Sequence, residues 1–126
     1  MDQQTSSEAL ISELKSLRER VMGVTESIIA TNDGLLVAAD VATVHPESMA
    51  ALASATMALG RRTATQAGIG GLRDVVNRSD AGYVVFTAIG QYALLVVAGD
   101  EGLDLSGLRR EGIATVDRLG ELLAHT

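Results

Sequence analysis

The chain has 126 residues, 47% of them apolar, with one proline and a net charge of −6, which suits a single folded domain with a core of its own. It has no cysteine, so disulfides, thiolate metal sites and cysteine nucleophiles are excluded. Its acidic balance, with the doublets Arg61-Arg62 and Arg109-Arg110 isolated and Lys15 the single lysine, and its three aromatic residues, Tyr83, Phe86 and Tyr92, leave it without the basic track or stacking rings of a nucleic-acid binder.

The polar opening MDQQTSSEAL has no basic stretch leading into an apolar one, so no signal peptide is expected, and a cytoplasmic home fits the absence of cysteine. Residues 1–6 are expected to form a disordered tail on a single domain spanning 1–126. The first helix is expected from Thr5 or Ser7, where Thr5 and Glu8 have capping-box spacing. Leu10, Leu14, Leu17 and Val21 then make one apolar stripe, and Gly23 ends it. Val24 to Thr31 and Leu35 to Ala39 read as strands. The intervening Asn32-Asp33-Gly34 suits a three-residue hairpin loop with Gly in the left-handed position.

His45-Pro46-Glu47 opens a second helix that runs to about Ala67 and stops at Gly68. From Ser48 to Gly60 it carries no charge. Met49, Leu52, Thr56, Leu59 and Thr63 form one stripe, and Ala50, Ala53, Met57, Arg61 and Ala64 a second beside it. A surface helix of a monomer shows a charged face. This one is therefore expected to pack on a sheet with one side and on a second copy of the chain with another.

After the loop Gly68-Ile69-Gly70-Gly71, the stretch LRDVVNRS (Leu72 to Ser79) reads as an edge strand blunted by Arg73, Asp74 and Arg78. Tyr83 to Ile89, and Gln91 or Tyr92 to Ala98, are the most apolar strands and belong in the middle of a covered sheet. A two-residue turn at Gly90-Gln91 is expected between them. Ala81 to Gly99 is uncharged and nearly bilayer-long, but Gly90-Gln91 splits it, so a buried hairpin is expected rather than a membrane span. A last helix starts near Leu105, capped by Asp104. The order is helix, two strands, helix, three strands, helix: one α/β domain around an antiparallel sheet.

Motifs that carry chemistry are missing. A calcium loop aligned on Gly34 would put Ile29 at its first ligand position, and Ile cannot ligate. The glycines at 68, 70 and 71 lack the lysine of a phosphate loop and lead from helix to strand. Two histidines, His45 and His125, complete no usual zinc site. No serine sits in a nucleophile elbow. Arg61 and Arg62 are candidates for contact with a partner, set against the plainer reading of cations at a helix C-terminus. No cofactor, metal or catalytic residue is expected, and the chain is not expected to be an enzyme.

The succession of an amphipathic helix, GVTESIIATNDGLLVAAD, the Ala-rich PESMAALASATMALGRRT, GYVVFTAIGQYALLVVAG and a closing helix resembles the roadblock family, named from dynein light chains. It is most similar to the small bacterial members that include the MglB-type regulators of Ras-like GTPases and the roadblock proteins of actinobacterial operons. The most specific parts are Asp33-Gly34-Leu35 and the hairpin from Gly82 to Val97.

The resemblance implies a five-stranded antiparallel sheet with the first and third helices on one face and the second on the other, a layering shared with profilin-like domains. It implies a homodimer through the second helix and the edge strand after it, with Met49, Ala53, Met57, Arg73 and Val75 as interface residues. It also implies an adaptor or regulator of a small Ras-like GTPase, with a sensor kinase and a small companion protein as further partners. Such a protein would be cytoplasmic and reach a membrane only through those partners. The alternative is a profilin-like or PAS-like sensor of a small ligand, against which the scarcity of aromatic and convergent polar residues counts.

Overall fold

The computed structural model describes residues 3–125; Met1, Asp2 and Thr126 lie outside the described residues. Its elements are α1 (Gln3–Arg20), β1 (Val24–Thr31), β2 (Leu36–Asp40), α2 (Pro46–Ala67), β3 (Asp74–Ser79), β4 (Gly82–Ile89), β5 (Ala93–Asp100) and α3 (Leu105–Ala124). The helix α1 begins at Gln3, earlier than its capping-box spacing predicts, so residues 3–6 of the expected tail are helical, and the rest of that expectation lies outside the described residues. The five strands form one antiparallel sheet in the order β2-β1-β5-β4-β3.

Alternation along the strands sorts the core into two layers. Ile29, Val85, Leu95 and Val97 face α1 and α3, where they meet Leu10, Leu14, Leu17, Leu108 and Leu119. Ile28, Ala30, Phe86, Leu94 and Val96 face the other way and meet Ala50, Ala53 and Met57 of α2. The central strands β1, β5 and β4 are therefore apolar on both faces because helices cover both.

Polar contacts lock the layers. Arg20 and Arg118 both donate to the buried Thr115 Oγ1, and pair with Glu111 and Glu13 across the α1–α3 seam. Arg18 of α1 holds Asp40 at the end of β2 at 2.8 Å. Gly23 lies at φ 89°, and a Cβ there would stand 2.4 Å from Leu103 Cα, so the chain can pass only without a side chain.

Both ends of α2 follow sequence logic. His45 is its N-cap, with Nδ1 accepting from the Ser48 N–H, and Pro46 opens its first turn. Gly68 closes it in the left-handed conformation, its N–H bonded to Thr65 O and that of Ile69 to Ala64 O.

Two of the hairpin loops fare differently against expectation. The predicted Asn32-Asp33-Gly34 loop forms, with Gly34 at φ 90° and its N–H on Thr31 O at 3.0 Å. The predicted two-residue turn at Gly90-Gln91 does not: Ile89 pairs with Ala93, so Gly90, Gln91 and Tyr92 make a three-residue loop. The reason is tertiary. Tyr92 O accepts from the Asn32 N–H and Gln91 O from the Asn32 side chain, which binds this loop to its neighbour.

Candidate functional site

The site is a surface, built where α2 crosses the sheet to the β3 edge. Ala50 and Ala53 face the sheet without side-chain bulk, which lets the helix axis sit low, and Met57 fills the remaining space. Met57 is 1% exposed and Ala53 fully buried. Every apolar residue on the opposite side is left uncovered. Ala51, Leu52, Ala55, Ala58 and Leu59 are all exposed, Leu52 at 58% and Leu59 at 62%. Leu52, Ala55 and Leu59 share one stripe at helical spacing. No ion pair among the described residues touches α2.

Beside the helix lies the open edge of the sheet. β3 has a partner only in β4. A Cβ on Gly60 would stand 2.9 Å from Leu72 and Val75, so α2 rests directly on the residues that lead into β3 and begin it. The exposed stripe and the unpaired strand edge therefore adjoin. Arg61 and Arg62 are exposed just beyond Gly60, and Arg73 is exposed just before β3.

The residues expected to form the interface divide. Met49 and Val75 are half-buried against the α2-side core, and Arg73 is exposed. The side chains of Ala53 and Met57 are packed against the chain's own sheet. Leu52 and Leu59 are the large apolar side chains that the helix leaves exposed.

Glu26 is a residue the sequence reading passed over. It lies on β1 and is 7% exposed. Its Oε1 accepts from the N–H groups of Ala42, Thr43 and Val44 at 2.7, 2.7 and 2.8 Å, and Oε2 accepts from the Thr43 hydroxyl at 3.0 Å. Burial pulls the carboxyl pKa up, but these donors together outweigh it, and the group is held below the ordinary glutamate value. The carboxylate thereby pins the β2–α2 connection and sets where α2 begins. The signal was a single carboxylate inside the apolar run of VTESIIAT.

A groove of about 610 Å³ opens on the other face, between α3 and the β3–β4 end of the sheet. Val85, Leu95, Val97, Leu108 and Val116 line it, and Arg73, Thr87, Asp117 and the Asp74–Arg109 ion pair stand among them. Among the described residues no group of His, Asp and Glu is placed to hold a metal ion, and no helix is long and apolar enough to cross a membrane.

The chain is thus a layered α/β domain with an uncovered apolar helix face beside an open sheet edge. The family model of the Roadblock/LC7 domain matches residues 10–98, and the chain belongs to that family. A Roadblock/LC7 domain from Streptomyces avermitilis superposes with a TM-score of 0.84 at 26% identity, covering 90% of this chain and 96% of that one. The gliding protein MglB of Thermus thermophilus superposes at 0.85 with 17% identity, over 96% and 93% of the two chains. An MglB in a tetrameric arrangement does so at 0.84 with 17% identity, over 93% and 89%. No curated protein matches the chain by sequence.

Proposed function

We propose that this chain is a homodimeric, non-catalytic adaptor that regulates a small Ras-like GTPase. The observation that carries the reading is the uncharged outer face of α2, with Leu52 and Leu59 exposed, running up to the unpaired β3 edge. Water-exposed leucines on an otherwise Ala-rich helix are stabilised by burial against a like surface, and a two-fold axis supplies one. Membership of the Roadblock/LC7 family and the likeness to MglB, one example of which is tetrameric, support self-association and a role beside a GTPase. A sensor kinase and a companion protein are the further partners, in the cytoplasm.

Light scattering should give a dimer mass. Titration with a Ras-like GTPase of the same organism, loaded with GDP or a non-hydrolysable GTP analogue, should show binding that depends on the nucleotide. A panel of such GTPases with no binder among them overturns the regulatory role.

The groove between α3 and the β3–β4 end favours a second reading, a small-ligand sensor, because its volume is that of a ligand pocket. A metabolite that raises the melting temperature, and loses that effect in Val116→Trp, would support it over the adaptor.

A further inference from the structure

We infer that the groove between α3 and the β3–β4 end of the sheet is a binding site for one uncharged apolar molecule that carries a hydroxyl group. This rests on the small-ligand reading of the groove and names the chemistry it takes. The exposed leucines of α2 lie on the other side of the sheet, so a molecule in the groove leaves them free for a protein partner.

A glycine keeps the groove open. Gly112 falls within the buried stripe of α3, on the same side of the helix as Leu108, Val116 and Leu119. Leu108 and Leu119 are 5% and 0% exposed. Yet a Cβ on Gly112 would meet no heavy atom within 4 Å beyond its own stretch of helix. Its φ is not positive, and no neighbouring backbone approaches it. Neither reason that explains Gly23 applies here. Glycine in mid-helix destabilises, and an apolar side chain at this position would extend the core. The chain instead leaves space between helix and sheet. On the other flank of α3 the seam with α1 is closed, where Arg20 and Arg118 reach Thr115.

The lining selects the ligand. Val85, Leu95 and Val97 supply apolar surface from the sheet, and Leu108 and Val116 supply it from the helix. The volume of about 610 Å³ is in the range of small-molecule sites. Arg73, Asp74, Arg109 and Asp117 bring two charges of each sign, and Asp74 already meets Arg109 at 3.5 Å. An ionic ligand would give up its hydration for a site without net charge, whereas an uncharged one gives up little. Thr87 fixes the polar end. It lies across from Asp74 on β3 and from Leu95 on β5. Its Oγ1 donates its one proton to Arg73 O at 3.1 Å, so toward a ligand it can only accept. A ligand hydroxyl supplies the matching donor; an ether, ester or ketone does not.

The test is a methyl NMR titration at pH 7 of wild type, Gly112→Leu, Gly112→Ala and Thr87→Val with 1-octanol, octanoate and octylamine. Octanol should shift the methyls of Val85, Val97 and Val116 saturably and leave those of Leu52 and Leu59 in place. The two ions should bind about tenfold more weakly or worse. Gly112→Leu should abolish octanol binding and raise the melting temperature, whereas a glycine needed by the fold would lower it on replacement. If Gly112→Leu fails to fold, Gly112→Ala still tests the point: it should melt roughly 4 °C higher and bind octanol less tightly. Thr87→Val should weaken octanol about five- to tenfold, the loss of one hydrogen bond. Octanol binding that Gly112→Leu or Gly112→Ala leaves unchanged overturns the site. Equal binding by Thr87→Val overturns the hydroxyl, and tighter binding of either ion overturns the uncharged class, both leaving the groove as a ligand site. No saturable shift with any of the three overturns the small-ligand reading as well.

Discussion

Glu26 shows how one side chain can place an element it does not belong to. Three backbone N–H groups of the β2–α2 connection have this carboxylate as their acceptor. Glu26→Gln removes the charge and leaves part of that set unmatched, at a cost of about 1–3 kcal/mol for each donor left buried and unpaired. Its pH dependence has a fixed sign. The folded-state pKa lies below the unfolded one, so the charged group's contribution is complete above the ordinary glutamate pKa and is lost as pH falls through the lower, folded value. Urea melts from pH 7 down to pH 3 should show wild type losing its advantage over Glu26→Gln in that acid window and not above it. Met57 belongs to a different kind of residue. It is wholly interior, so Met57→Ala should cost about 2–5 kcal/mol in a chemical melt. Dimer mass is expected to stay unchanged wherever the variant is folded.

At the level of the element, α2 explains both what the sequence reveals and what it hides. Its ends were legible because proline, glycine and a capping side chain act locally. Its lack of charge announced that both of its sides are apolar. Which side meets the sheet was not legible, because both stripes are apolar and helical periodicity ranks them equally. The sheet took the stripe with Ala50 and Ala53, whose small side chains permit close approach, and left the larger Leu52 and Leu59 outside. The same limit applied to the Gly90 loop: its length follows from Asn32, far earlier in the chain, through contacts that no local pattern encodes. The division of α2 gives a direct prediction. Leu59→Asp should leave the melting temperature of the isolated fold nearly unchanged, because the side chain already faces water, while light scattering reports a monomer. A dimer that survives both Leu59→Asp and Leu52→Asp would move the interface off this helix.

For the whole molecule the question is how an acidic chain engages its partner. The net charge is −6, yet Arg61 and Arg62 near the end of α2 and Arg73 just before β3 are all exposed, with Asp74 following Arg73 and Arg78 at the other end of β3. A basic corner on an acidic body steers an acidic surface toward one place and makes association salt-sensitive. Arg61 and Arg62 are exposed and adjacent in sequence. Neighbours on a helix point about 100° apart, so both cannot enter one nucleotide site. That geometry suits contact with a protein surface better than insertion of an arginine into a catalytic centre. Two outcomes separate these roles, because their sizes differ. An arginine that stabilises the transferring phosphoryl group is worth roughly 10³–10⁵ in kcat. Rim charges mainly alter the association rate and its response to salt. Arg61→Ala with Arg62→Ala is therefore expected to weaken GTPase binding roughly tenfold at low salt and less at high salt. The hydrolysis rate at saturating regulator should stay within about a factor of two of wild type, the small change expected when binding contacts alone are lost. A single alanine that abolished stimulation by about three orders of magnitude while binding held would place that arginine on the nucleotide. The chain would then contribute to the chemistry itself rather than only shaping the enzyme that performs it.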